Sequence, residues 1–161
     1  MSAEAIHALV FIIAANSTPV LLTRLMGDRW AFPIDAGKTF FDGRPILGRS
    51  KSWRGLLGAV LVCALIAPLL GFSPALGAGA AMLAMSGDMI SSFSKRRLGL
   101  KSSAQAPLLD QVPEALLPAL GLKATLHLSW EEIVLVTFGF ALLEIVLSVI
   151  FFKLGVRKQP Y

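Results

Sequence analysis

Five hydrophobic runs dominate the chain, and they restrict it to a helical fold within a lipid bilayer. They cover residues 5–26, 55–72, 75–93, 112–128 and 133–154. Each approaches the roughly 20 apolar residues that a helix needs to cross a membrane. Because 55% of the 161 residues are hydrophobic, too little polar surface remains to cover a soluble globule. We expect an all-α, polytopic membrane protein with five transmembrane helices, forming a single membrane-embedded domain over residues 1–161.

The positive charges predict how the helices are oriented. Of the fifteen lysines and arginines, seven lie between residues 24 and 54, four between 95 and 101, and three in the C-terminal tail. Cytoplasmic loops carry such an excess of positive charge. If the fourth run, interrupted by Pro113, Pro118 and Lys123, did not cross, the basic tail would lie outside. The sequence therefore predicts an outside N-terminus, a cytoplasmic C-terminus and a multi-pass location in the cell membrane.

Two other interpretations of the composition are disfavoured. Glu4 precedes the first run and Arg24 follows it, whereas a secretory signal begins with basic residues. The isoelectric point near 9.8 is explained by topology and phosphate binding, because the sequence has no basic face interleaved with aromatic residues of the kind that binds nucleic acid. The single cysteine, Cys63, lies within the second run and permits no intramolecular disulfide.

Polar residues at helical spacing end the third run. Asp88, Ser91, Ser92 and Lys95 stand at i, i+3, i+4 and i+7 and therefore share one face of a helix. A carboxylate at this depth is costly unless it is paired or binds a cation. We expect Asp88 to face a metal ion or the Lys95-Arg96-Arg97 cluster. Taken alone, that cluster is explained as well by ordinary anchoring at the cytoplasmic surface.

Asp110 begins the fourth run, just after the loop that starts with those cations. As an isolated residue it is best interpreted as a helix N-cap. Together with Asp88 it supplies the two carboxylates that a magnesium site commonly draws from protein, with water and substrate phosphates completing the shell. The sequence has no histidine and cysteine cluster that would favour a softer metal.

The first polar segment combines cations with glycines, as a phosphate site requires. Its cations are Arg44, Arg49, Lys51 and Arg54, and its glycines are Gly43, Gly48 and Gly55. Gly55 leads into the second run, where the amides of a helix N-terminus favour an anion. Gly43 and Gly48 have the spacing of a Walker loop, but the lysine comes two positions late. Asp42 before Gly43 is by itself a turn signal.

A few polar residues lie within or beside the runs, away from the basic segments. Asn16 begins a short polar stretch before Pro19 in the first run, and a proline there frees a backbone carbonyl that can face a cavity. Glu144 in the fifth run is best interpreted as a hydrogen-bonding contact between helices. His7 and His127 fall near the outer surface, so neither is expected to be catalytic.

Four ordered motifs extend from the first run to the fourth. They are Asn16-x-x-Pro19, Asp42-Gly43-Arg44-x-x-x-Gly48-x-x-Lys51-Ser52-Trp53-Arg54-Gly55, Gly87-Asp88-x-x-x-Ser92-Phe93-x-Lys95-Arg96-Arg97 and Pro107-x-x-Asp110-Gln111. In this order and spacing they resemble the CDP-archaeol synthase family, short relatives of the phosphatidate cytidylyltransferases.

The resemblance implies a five-helix membrane enzyme that uses CTP and Mg²⁺ to convert a lipid phosphate into a CDP-lipid, releasing pyrophosphate. The site residues that it implies are Asp88 and Asp110 as magnesium ligands, Lys51, Arg54, Lys95 and Arg96 around the phosphates, and Asn16, Asp42 and Arg97 as orienting or nucleotide-side groups. No nucleophilic side chain is needed, because the attacking lipid phosphate is itself anionic.

The sequence leaves alternatives open. The chain departs from the family pattern at Lys101-Ser102-Ser103 and at Val112-Pro113-Glu114, so a diacylglycerol phosphate remains a candidate substrate beside an archaeol-type phosphate. A CDP-alcohol phosphotransferase would need further aspartates after Asp42-Gly43, which are missing. A non-enzymatic transporter or assembly factor would explain five spans, but it gives no reason for cations and carboxylates to gather at one face. The oligomeric state is left open.

Overall fold

The computed structural model describes residues 1–102, 104 and 106–153, with side chains to residue 146, and these residues form an all-α bundle. Its helices are α1 (Ala3–Met26), α2 (Trp53–Leu69), α3 (Pro74–Arg97), α4 (Gln111–Leu122) and α5 (Trp130–Lys153). Helix α3 packs against α2 and α4, while α1 packs against α2 and α4 against α5. The predicted all-α class is confirmed for these residues. The basic tail, residues 154–161, lies outside the described residues.

Helix bounds agree with the predicted runs except at the fourth. That run was expected to extend over residues 112–128, whereas α4 ends at Leu122 and a turn follows. Lys123 stabilises the turn: its ammonium donates to the carbonyl of Leu128 at 3.1 Å and lies 4.9 Å from the ring centroid of Trp130. Lys123 is the C-cap of α4, so only the expected length of the fourth helix is wrong.

Helix length and apolarity single out α1 in the part of the chain that the structure describes. There, α1 alone is long and apolar enough to cross a membrane by itself, with a mean hydropathy of 1.9. Helix α2, at 17 residues, is a shorter apolar helix. The five helices are thus observed, whereas the expectation that all five cross a membrane stays a prediction.

Small residues allow the helices to approach closely. A Cβ atom added at Gly77 would lie 2.1 Å from the carbonyl oxygen of Cys63, and one added at Gly87 would lie 2.2 Å from that of Pro113. The thiol of Cys63 is buried against the carbonyl of Phe11 at 3.6 Å, so this cysteine faces the protein core. Close backbone approach of this kind is how helices pack where little water is available to drive association.

The two ends of the bundle differ in character. At one end, His7 packs edge-on against Phe72 in the α2–α3 connection, and the amide of Ser2 donates to Glu132 at 3.3 Å. The basic segments lie at the opposite end, where α1 and α3 finish and α2 and α4 begin. His7 is therefore remote from the basic segments, as expected.

The segment between α1 and α2, residues 27–52, is organised around one carboxylate. Asp35 accepts from the amides of Leu47 and Gly48 at 2.9 Å each and from the amide of Gly37 at 3.0 Å. Burial acts to raise the pKa of Asp35, but these backbone hydrogen bonds outweigh it and the pKa lies below its ordinary value. The segment is thereby folded back on itself, which presents Lys51 to the bundle.

Candidate active site

Lys51 and Asp88 form an ion pair between the start of α2 and the interior face of α3. The Lys51 ammonium lies 2.5 and 2.6 Å from the two oxygens of the Asp88 carboxylate. Both side chains are largely buried, with 19% and 18% exposure. The predicted inward orientation of Asp88 is therefore confirmed, and its immediate partner is a lysine from a different motif.

A second lysine–carboxylate pair lies between the end of α3 and the start of α4. The Lys95 ammonium is 2.6 Å from Asp110, and these side chains are only 9% and 10% exposed. Lys95 also donates to the carbonyl of Ala104 at 2.9 Å. Asp110 accepts from the amide of Ala106, which precedes the helix, and makes no capping bond to α4. Asp110 thus occupies the N-cap position of α4, but its side chain does not make the expected capping hydrogen bond.

Arg96 is directed toward the loop that follows α3. It is 4% exposed and donates to the carbonyl of Lys101 at 2.6 Å. A Cβ atom at Gly48 would lie 3.5 Å from this guanidinium, so the first polar segment and the end of α3 meet here.

Arg97 holds the tip of the first segment against α3. Its guanidinium is 2.6 Å from Asp42, donates to the carbonyl of Pro45 at 2.5 Å, and lies 4.9 Å from the ring centroids of both Phe40 and Phe93. In this arrangement the charges of Asp42 and Arg97 are paired with each other. In this structure both act as a structural clamp, and a contact with a nucleotide would be additional to it.

Two further arginines donate hydrogen bonds to backbone carbonyls at helix ends. Arg54 donates to the carbonyls of Gly27 at 2.9 Å and Arg29 at 2.5 Å, and to the Thr23 hydroxyl at 3.2 Å, so it closes the C-terminus of α1. Arg44 donates to the carbonyls of Arg96 and Arg97 at the end of α3. The positive charge of each complements the partial negative charge of a helix C-terminus.

Asn16 is turned toward its own helix. Its amide donates to the carbonyl of Ile12 at 3.0 Å, and nearby Pro19 packs against α2, because a Cβ atom added at Gly55 would lie 3.1 Å from that of Pro19. The Asn16 and Gly55 motifs therefore lie at the same helix contact. A role for Asn16 toward the nucleotide stays a prediction.

Glu114 is a site residue that the sequence reasoning missed. It is 7% exposed on α4, and its carboxyl group lies within hydrogen-bonding reach of Asp88 and within electrostatic range of Lys51 and Glu144. The signal that could have found it is helical spacing: Glu114 follows Asp110 by four residues and therefore shares its face.

The carboxylates of the site are hard oxygen donors, which suit Mg²⁺. Within residues 1–102, 104 and 106–153, no three aspartate, glutamate, histidine or cysteine side chains are grouped so that they could hold a metal alone. Magnesium commonly takes only one or two carboxylates from protein and its remaining ligands from water and phosphates. The donor set fits a cation that binds together with a phosphorylated substrate.

Comparison with known families gives a match over the chain. A family model described as CarS-like, CDP-archaeol synthase, matches residues 3–79 and 71–161. The CDP-archaeol synthase of Hyperthermus butylicus is 48% identical over 115 residues, which cover 68% of this chain and 66% of that protein. The CDP-archaeol synthase of Aeropyrum pernix is 36% identical over 170 residues, which cover 98% of this chain and 91% of that protein.

A solved structure has the same architecture. It is that of an intramembrane enzyme for the biosynthesis of archaeal membrane lipids, and it matches with a TM-score of 0.76 at 29% sequence identity. The match covers 90% of this chain and 92% of that one. The helical bundle is thus found in a structurally characterised protein.

Proposed function

The chain belongs to the CDP-archaeol synthase family, and we infer that it is a CTP-dependent lipid cytidylyltransferase of membrane lipid biosynthesis. The observation that carries this function is the pairing of Lys51 with Asp88 and of Lys95 with Asp110 at one end of the bundle. Its lipid substrate is an archaeol-type phosphate, since the relatives are CDP-archaeol synthases.

The reaction is a substitution at the α-phosphorus of CTP. An oxygen of the lipid phosphate forms the new bond to this phosphorus, the bond to the bridging oxygen of the β-phosphate breaks, and pyrophosphate leaves with the electron pair. The protein therefore needs to position two anionic substrates and stabilise the charge of the leaving group. Lys51 and Lys95 provide mobile positive charges for this purpose, with Arg96 behind them.

Magnesium is the proposed metal ion, with Asp88 and Asp110 as its carboxylate ligands. Bound together with CTP, it neutralises phosphate charge and makes the phosphorus more electrophilic. Each of these carboxylates is balanced by one lysine in this structure. With metal and nucleotide bound, Asp88 and Asp110 would hold the metal ion, and Lys51 and Lys95 would be available to the phosphates.

The bundle is proposed to lie in the cell membrane with five crossing helices, the N-terminus outside and the C-terminus in the cytoplasm. Supporting this orientation, the cations of residues 24–54 and 95–101 gather at one end of the helices, as cytoplasmic surfaces require. The candidate site lies at the same end and therefore faces the compartment that contains CTP. A single domain over residues 1–161 includes both the membrane helices and the site.

The test is CDP-lipid formation by the purified protein in detergent, with labelled CTP, Mg²⁺ and either an archaeol-type phosphate or a diacylglycerol phosphate. We expect label in a CDP-lipid with the archaeol-type phosphate and little with the ester lipid. The reverse preference would overturn the lipid assignment alone. If a folded protein formed no CDP-lipid from either substrate, the proposed function would be wrong.

A further inference from the structure

The buried carboxyl group of Glu114 has no role in the reaction as described so far. It is 7% exposed and belongs to α4, one helical turn after Asp110. A carboxyl group at this depth carries a large desolvation cost unless it has a compensating partner. Its position between two helices of the site therefore requires an explanation.

Helix packing places Glu114 directly opposite Asp88. Gly87 lies against the backbone of Pro113 and Glu114, where an added Cβ atom would be 2.2 Å from the Pro113 carbonyl oxygen and 2.7 Å from the Glu114 amide nitrogen. The neighbouring residue on α3, Asp88, is then within hydrogen-bonding reach of the Glu114 carboxyl group.

The register of the two helices separates this pair from the other ion pair. Lys95 contacts Asp110, and it lies seven residues beyond Asp88, a rise of about 10 Å along α3. Glu114 lies four residues into α4 from Asp110, a rise of about 6 Å in the direction of Asp88. With the contact of Gly87 on the backbone of Pro113 and Glu114, Glu114 is the acidic residue of α4 at the level of Asp88.

A single lysine lies among the acidic groups at this level. Lys51 places its ammonium on both oxygens of Asp88, and the carboxyl groups of Glu114 and Glu144 lie nearby. One ammonium thus neighbours three acidic groups. When Lys51 turns to the phosphates of the nucleotide, it uncovers Asp88 and Glu114 at once, and two adjacent carboxylates in a buried setting provide the charge and the oxygen donors for a divalent cation.

We propose that Glu114 is a further carboxylate ligand, beside Asp88, of the proposed divalent cation, and that Lys51 occupies this cation position in the absence of metal. The inference rests on the proposed function and deepens it, because it assigns a ligand specific to the α3–α4 contact of this chain. Glu114 would hold the cation beside Asp88, together with the phosphates of the nucleotide.

The test is Mn²⁺ binding to the full-length protein in detergent with CTP present and lipid phosphate absent, followed by electron paramagnetic resonance of the free ion. The variants are Glu114→Gln, Glu114→Asp and Asp88→Asn. Glu131→Gln is the matched control, since it removes one acidic charge from the exposed start of α5, at the other end of the bundle. Thermal unfolding of each variant establishes that it is folded.

We expect Glu114→Gln to weaken Mn²⁺ binding by about tenfold or more, Glu114→Asp to retain part of the affinity, and the control to match the unsubstituted protein. Glutamine keeps a hydrogen-bond donor toward Asp88, so a purely structural Glu114 would leave Mn²⁺ affinity unchanged in Glu114→Gln. That result, or absence of Mn²⁺ binding by the unsubstituted protein, would overturn the inference. Formation of CDP-lipid by the unsubstituted protein would in either case leave the proposed function standing.

Discussion

The lysines and the arginines at the basic end of the bundle are used in different ways. Lys51 and Lys95 each form a close ion pair with one carboxylate, at 2.5 and 2.6 Å. Arg54 and Arg97 instead make several contacts each, mainly with backbone carbonyls and aromatic rings. An ammonium is a compact charge on a flexible stem, whereas a guanidinium is a planar group with several fixed donors. The lysines therefore form exchangeable pairs, and the arginines form the framework around them.

The largest effect on activity is expected for Asp88→Asn, which removes the partner of Lys51 and leaves the contacts of the arginines in place. In the proposed mechanism Asp88 is a ligand of the metal ion, so Mg²⁺-dependent CDP-lipid formation should fall by at least about a hundredfold. The substitution also leaves the Lys51 ammonium without its carboxylate partner, so the unfolding temperature should fall while the protein stays folded at the assay temperature. Activity and unfolding are measured on the same preparation. Retention of full activity would contradict the assignment of Asp88 to the metal.

The next effect concerns Lys51→Ala, which should weaken binding of CTP more than binding of lipid phosphate. A charge-assisted hydrogen bond to a phosphate contributes about 1.5–3 kcal/mol, which corresponds to a loss in CTP affinity of about 10- to 100-fold. Equilibrium binding of labelled CTP and of lipid phosphate to the detergent-solubilised variant measures the two losses separately. A greater loss for the lipid would assign Lys51 to the lipid phosphate.

Arg97→Ala tests the framework. The substitution removes the Asp42 ion pair, the bond to Pro45 and two aromatic contacts together, so it should destabilise the fold by about 2 kcal/mol. The fraction that remains folded should retain most of its turnover. Arg49→Ala is the control, because Arg49 is an exposed arginine of the same segment. If Arg97→Ala abolished turnover without lowering the unfolding temperature, Arg97 would belong with the lysines.

The smallest effect concerns the pH dependence of the first segment. Because the pKa of Asp35 is lowered in the folded protein, its stabilising contribution is present above its ordinary pKa near 3.8 and is lost as pH falls through the lower folded value. Asp35→Asn should therefore reduce the loss of stability on acidification below about pH 4. Unfolding temperatures of both proteins across that range measure the difference. An unchanged acid dependence would show that the amide bonds to Asp35 contribute little.

The sequence predicted the helices well where hydrophobic length alone determines them. It placed the end of the fourth helix too late, because the apolar residues Leu126 and Leu128 extend the hydrophobic run beyond Leu122, where α4 ends. The contacts of Lys123 with Leu128 and Trp130 are made only because the chain turns there. Hydropathy measures the apolar character of successive residues and contains no information on where the backbone turns.

The sequence indicated which residues gather at the candidate site, but only partly which residue each of them contacts. Asp88 was placed facing inward by its spacing from Ser92 and Lys95, and that face is buried. Its partner Lys51 is 37 residues away in sequence, so the pairing depends on tertiary packing. The same holds for Arg97 and Asp42. Glu114 was overlooked because it was considered only as a departure from the family pattern. Its spacing of four residues from Asp110 places both side chains on the same face of α4.

The contact of Gly87 with the backbone of Pro113 has a consequence for how the protein can change over evolutionary time. Main-chain atoms determine the gap between α3 and α4 at that level, so no side chain acts as a spacer there. Residues along the outer helix surfaces can then vary without altering the distance between α3 and α4 beside Asp88. The surface of the bundle and the spacing of its candidate site can thus be inherited separately.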